Sequence, residues 1–85
     1  MRNGRMLMPT KHINFSQSLL GLGSNILQNL AVPNEIDGLW RMYQEDLETG
    51  RYPAKHSFDN FVLTIVFLFG IGAIEYKDHL LQKCT

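Results

Sequence analysis

From Phe61 to Ile74 the chain reads FVLTIVFLFGIGAI, with no charged residue and only Thr64, Gly70 and Gly72 among the apolar side chains. A run of this kind has three outlets: a lipid bilayer, the protein's own core, or the surface of another protein. Length decides the first. As a helix rising ~1.5 Å per residue the run covers roughly 21 Å, against a hydrocarbon core of about 30 Å. The two glycines also fall where an uninterrupted helix would have to continue, and glycine inside a helix costs about 1 kcal/mol relative to alanine. The run is therefore expected to be a core element, a partner-binding face, or both, and not a membrane span.

Eighty-five residues hold one domain with one core, and a chain of that size buries only somewhat above about 60% of its surface. The composition is 45% hydrophobic, 11% aromatic and 19% charged, far richer in apolar and aromatic side chains than a disordered chain. Eight basic and eight acidic residues cancel, so no overall field draws the chain to nucleic acid or to an anionic membrane. The single cysteine, Cys84, rules out an internal disulfide framework and a multi-cysteine zinc site. A reducing, cytoplasmic setting is expected. The opening MRNGRMLMPTKH lacks the apolar stretch of a secretory signal, and no export is expected.

Residues 1–12 show no periodicity and contain Gly4 and Pro9, which predicts an arm able to lie extended, with Met6, Leu7 and Met8 as an apolar anchor; the arm is bounded at 1–15 and a domain follows over 16–85. From Ser16 on, Leu19, Leu22, Ile26, Leu27 and Leu30 recur at steps of three and four. They predict a first helix capped by Ser16 or Ser18, and the side-chain-free Gly21 and Gly23 would let another backbone come close. A second helix is expected with Asn34 as its cap, Asp37 at capping-box spacing, and Ile36, Leu39, Trp40, Tyr43 and Leu47 as its apolar stripe, ending at Gly50. Pro53 makes RYPAKH a loop, and Ser57 caps a third helix that runs to about Phe69. Beyond Gly70, Ile74 and Tyr76 alternate, KDH forms a turn, and Leu80 and Leu81 follow, which predicts a β-hairpin. The expected fold class is a small α+β domain, three helices and a C-terminal hairpin in the order of a winged helix-turn-helix.

No residue pattern points to catalysis. GLGSN at residues 21–25 lacks the third glycine of a dinucleotide fingerprint, the preceding strand and the lysine of a phosphate loop. His12, His56 and His79 are scattered without metal-ligand spacing, and Cys84 with His79 lacks an orienting third group. Glu45, Asp46 and Glu48 read as a solvated face. No catalytic residue, cofactor or metal is expected. A DNA-reading third helix needs basic or amide side chains on its surface, and this one offers only Asn60 beside the acidic Asp59. Arg51, Lys55 and Lys77 leave room for weak contact with the nucleic-acid backbone. The third helix is apolar on nearly every side, more than two short helices and a hairpin can cover, so either a partner or the arm's Met6 to Met8 is expected to cover the rest.

The segments PTKHINFSQSLLGLGSNIL, YPAKHSFDNFVLTIVFLFGIGAIEY and the later LL, from Pro9 to Leu81, resemble the small middle-component proteins of bacterial ABC-three-component systems, the sixth of those families. The markers are PTKHI, SLLGLG, FDNF and GAIEY, distinctive in their order and spacing together. His79 in the hairpin turn stands where glycine or asparagine would be expected. The resemblance implies a non-catalytic, winged-helix-like subunit that bridges or regulates a coiled-coil ABC/SMC-like ATPase, with an effector commonly present, in Lamassu-like defence against phages or plasmids. The expected function is thus that of an accessory subunit acting through protein contacts at Met6, Leu7, Met8, Leu19, Leu20, Leu22, Leu63 and Phe69. The alternatives are a DNA-binding winged-helix regulator and a self-associating homodimeric adaptor.

Overall fold

A computed structural model describes the backbone of residues 9–84 and the side chains of residues 19–84. Helices α1 (Pro9–Asn29), α2 (Ile36–Glu48) and α3 (Phe58–Gly70) precede an antiparallel hairpin of β1 (Ile74–Lys77) and β2 (Leu80–Lys83). The expected α+β order is the one observed. Met6, Leu7 and Met8 lie outside the described residues.

The first helix begins earlier than its apolar spacing indicates. It starts at Pro9, so neither Ser16 nor Ser18 caps it and residues 9–15 are helical, not extended. Proline suits the first helical position, since its missing N–H has no acceptor there and its φ is already helical. The apolar periodicity marks the later part of α1, where Leu22 and Ile26 are fully buried, as is Leu30 just past its end.

Glu35 precedes α2 without a side-chain cap. Asn34, expected as that cap, ties α2 to the hairpin instead. Its N–H donates to Leu81 O (3.0 Å) and its carbonyl accepts from Leu81 N–H (2.8 Å), while its Oδ1 accepts from Glu35 N–H (2.8 Å). The Asn34 amide fills the space beside Gly38, where a Cβ would collide with it. Gly38→Ala should therefore lower the melting temperature despite alanine's better helix propensity. Gly23→Ala should leave the stability unchanged or raise it by up to about 1 kcal/mol, because a Cβ there meets Leu68 at 3.5 Å and Thr64 at 3.7 Å, ordinary contact distances. Thermal melts of the two variants check this opposite pair. The close backbone approach expected at Gly21 and Gly23 is not what they provide: Gly23 faces the Leu68 and Thr64 side chains of α3, and Gly21 faces the Tyr52 hydroxyl.

The Ser57 hydroxyl caps α3 as expected, accepting from Asn60 N–H at 3.1 Å. The helix ends in a double carbonyl cap, Gly72 N–H to Phe69 O (3.0 Å) and Ala73 N–H to Leu68 O (2.9 Å), with Gly72 at φ +76°. That left-handed conformation is open to glycine and strained for a residue with a Cβ, so the charge-free run divides here into a helix and a strand. In the hairpin Lys77 pairs with Leu80, leaving a two-residue turn of Asp78 (φ 54°) and His79 (φ 67°). Two positive φ values are the signature of a type I′ turn, whose twist matches that of the strands. His79 takes the position expected for glycine or asparagine, with its ring edge-on to Tyr76 at 6.5 Å.

The core lies where the three helices meet the hairpin, with Leu22, Ile26, Leu39, Tyr43, Phe61, Ile65, Leu68, Ile74 and Leu81 all buried. Its aromatic centre joins α2 to α3: Trp40 stands 5.2 Å from both Phe58 and Phe61, and Tyr43 stands 5.6 Å from Phe61 and 5.7 Å from Tyr52. Tyr43 Oη donates to Ala54 O (2.9 Å) and accepts from His56 N–H (2.6 Å), pinning the loop between the two helices. Burial, which outweighs that backbone bond, raises the pKa of the phenol and keeps it protonated.

Candidate interaction surface

Helix α3 has apolar side chains on nearly every side, but it turns only one face inward: Phe61, Thr64, Ile65 and Leu68 are buried. Thr64, the polar member of that face, is satisfied by donating from its hydroxyl to Asn60 O at 2.9 Å. The opposite face stays in solvent, with Leu63 59%, Val66 58%, Phe67 38% and Phe69 39% exposed, followed by Ile71 at 61% just past the helix end. Leu20 on α1, at 70%, extends the same apolar surface. Between the two helices runs a groove of about 210 Å³ lined by residues of α1 from Leu19 to Leu27 and by Phe67, Leu68 and Ile71. No lining residue is charged, and the Ser24 hydroxyl is the one polar side-chain group among them.

The expected contact residues divide under this geometry. Leu20, Leu63 and Phe69 are exposed, Leu19 is half-buried at the groove, and the groove brings Leu19 and Leu20 together with α3. Leu22 is fully buried and belongs to the core, because its position on α1 points it between α2 and α3 along with Ile26. Val66, Phe67 and Ile71 were not singled out by sequence reasoning. Their spacing from Leu63 is helical, but Phe61, Ile65 and Leu68 repeat at the same spacing, so periodicity alone cannot say which of two apolar faces is the inner one.

The polar residues are mostly structural. Asp46, read from the sequence as part of a solvated face, is buried. Its Oδ2 accepts from Asn25 Nδ2 (2.8 Å) and Asn29 Nδ2 (3.1 Å), and Arg51 Nε lies 3.7 Å from its Oδ1. Burial raises the pKa of this carboxyl, but the two amide donors and the Arg51 charge outweigh it, so the net direction is downward. Two asparagines one helical turn apart on the buried side of α1 are the signal that could have exposed this anchor. His56 sits between Tyr52 Oη (3.0 Å from Nε2) and the Asn60 amide (3.0 Å from Nδ1), and burial lowers its pKa. Of the basic residues, Arg51 leans on Asp46, while Lys55 in the loop after α2 and Lys77 at the end of β1 are exposed. Helix α3 itself carries no positive charge.

Among the described residues, no three His, Cys, Asp or Glu side chains gather as a metal site would require, and no helix is long and apolar enough to cross a membrane. What the arrangement offers chemically is uncharged apolar surface held on a rigid helix pair. The family model for the ABC-three component (ABC-3C) system Middle Component 6 matches residues 8–84. No curated protein and no solved structure matches the chain.

Proposed function

The chain belongs to the ABC-three component system Middle Component 6 family, and on that footing we propose that it is a non-catalytic accessory subunit that bridges or regulates an ABC/SMC-like ATPase in defence against phages or plasmids. Membership makes it one component of a multi-protein system, which requires surfaces that bind other proteins. The observation that carries the reading is the outward face of α3, where Leu63, Val66, Phe67 and Phe69 stand in solvent with no charge among them. Exposed contiguous apolar surface on a small domain marks an interaction site, since water disfavours it at about 25 cal/mol per Å².

The test is coexpression of the tagged chain with the products of its genomic neighbours. Wild-type protein is expected to copurify the ATPase. Leu63→Asp and Phe69→Asp should reduce the recovered ATPase at least tenfold, with Leu63→Asp leaving the melting temperature within a few degrees of wild type. An aspartate buried against a partner without a counter-charge costs several kcal/mol, whereas at a solvated helix position it costs a few tenths. Recovery of the ATPase undiminished by both substitutions would remove α3's outer face from the interface.

A further inference from the structure

We infer that the open edge of β1 pairs antiparallel with the same edge of a second copy, with Tyr76 at the twofold axis. This surface is separate from the outer face of α3, and the inference goes beyond the proposed function.

In an antiparallel ladder two directly opposite residues either exchange both main-chain bonds or turn both sets of groups away from each other. Leu81 stands opposite Tyr76, and its N–H and C=O are both engaged by Asn34 on the outer side of β2. The pair is therefore of the second kind, and the N–H and C=O of Tyr76 point out of the other edge, that of β1. The same alternation holds at the foot of the hairpin, where Cys84 N–H donates to Ala73 O at 3.0 Å. Asn34 thus covers the edge of β2, while β1 has no second strand beside it among the described residues. Glu75, Tyr76 and Lys77 are all exposed, Tyr76 at 60%. Main-chain donors and acceptors pointing sideways from a sheet are matched by another extended strand, and not by a helix, whose own groups are already bonded.

The side chains select the occupant. Charge on an edge strand resists pairing, but here Glu75 and Lys77 flank Tyr76 with opposite signs. With Tyr76 opposite Tyr76 of a second copy, each N–H donates to the other's carbonyl. Glu75 of each copy then stands opposite Lys77 of the other, and the two exposed phenol rings lie side by side. Opposite charges and aromatic pairs across strands both favour pairing. Gln82 Nε2 donates to Glu75 Oε2 (2.7 Å), which occupies one carboxylate oxygen and steadies the side chain over the hairpin. Sliding the copies by two residues, so that Tyr76 meets Ile74, would set Glu75 against Glu75, like charges directly opposed. The charge order along β1 is complementary to itself in one register and repulsive in the neighbouring one.

The experiment uses the purified full chain. Strands of four residues make a contact of the weak class, so sedimentation equilibrium is run at about 1 mM chain, where a millimolar Kd populates the dimer. Wild-type protein should sediment as a monomer–dimer equilibrium. Glu75→Lys should weaken the association roughly tenfold, and Glu75→Lys/Lys77→Glu should restore it by re-creating the opposite-charge pairs. Both side chains are exposed, so the melting temperature should move little in either variant. A second readout fixes the register. Glu75 and Lys77 of the two copies would have Cα atoms about 4.5 Å apart, within the reach of a disulfide. On a Cys84→Ser background, Glu75→Cys mixed with a size-tagged Lys77→Cys should therefore form the mixed disulfide about tenfold faster than either variant alone. Glu48→Cys, exposed at the end of α2, serves as the surface control. A purely monomeric wild type, linking by Glu75→Cys alone as fast as the mixture, linking no faster than the control, or association indifferent to Glu75→Lys would each overturn the inference. So would benzoylphenylalanine at position 76, in the chain coexpressed with its genomic neighbours, crosslinking to another protein and not to a second copy. The outer face of α3 is untouched by these substitutions, so the proposed function stands or falls separately.

Discussion

Phe61→Ala is expected to lower the stability of the domain by about 3–5 kcal/mol, the range for truncating a buried aromatic ring. Phe61 is fully buried and holds two other rings in place: Trp40 edge-on at 5.2 Å and Tyr43 tilted at 5.6 Å. Truncation would remove the apolar contacts of the ring, the aromatic pairings worth about 0.5–1.5 kcal/mol each, and the filler of a space that two helices cannot close without moving. A domain of this size has roughly 5–10 kcal/mol in total, so the variant should lose from about a third to all of its stability. Trp40, the only tryptophan, touches the site directly, and its fluorescence in a urea titration reports the change. Phe61→Leu should cost distinctly less. A loss under about 1 kcal/mol for Phe61→Ala would mean that the ring is not the centre of the core.

Asp46→Ala comes next, with an expected cost of about 2–4 kcal/mol, since hydrogen bonds to a charged group contribute about 1.5–3 kcal/mol each. Asn25 and Asn29 both direct amide hydrogens at one carboxylate oxygen, so the substitution removes an acceptor from two amides of α1 at once. Arg51 adds little, because its side chain is 77% exposed and the solvent screens it. The effect carries a pH signature. The folded-state pKa of Asp46 lies below its unfolded value of about 3.9, so its contribution is complete above that pH and is lost as pH falls through the folded value. His56 acts earlier in an acid titration. Its folded pKa is also lowered, by burial, so its share of stability is complete above about pH 6.5 and declines as pH drops toward the folded value. Wild-type protein should therefore lose stability in two stages on acidification. Asp46→Asn should abolish the lower stage and His56→Gln the upper, as read from urea midpoints between pH 3 and 8. Loss of both stages in either single variant would show the two groups to be coupled.

The reading of the sequence and the folded chain agree most closely where local chemistry acts alone. Ser57 as a cap, Gly50 past the end of α2, and a glycine break between α3 and β1, which the structure puts at Gly72, follow from the backbone needs of single residues. Asn34 and Asp46 went the other way. Asn34 has the chemistry of a helix cap, but its backbone pairs with Leu81, far along the chain, and Glu35 takes the capping position. Asp46 lies in a charged run on an amphipathic helix, and only the packing of α1 across it turns a solvent-like side chain into a buried anchor.

The same division runs through the surface proposed for partner binding. That the stretch from Phe61 to Ile74 is too short for a bilayer, breaks near Gly70 and exceeds what a chain of 85 residues can cover was determined by its length, its glycines and the surface-to-volume limit of a small domain. Which residues are left uncovered could not be settled there. Phe61 with Ile65 and Leu68, and Leu63 with Phe67 and Ile71, repeat with the same helical spacing. The choice between them was made by the position of α1, whose Leu22 and Ile26 close over the first set and whose Leu20 extends the second into solvent. An apolar helix specifies that it will be buried; its inner face is set by the neighbours that reach it.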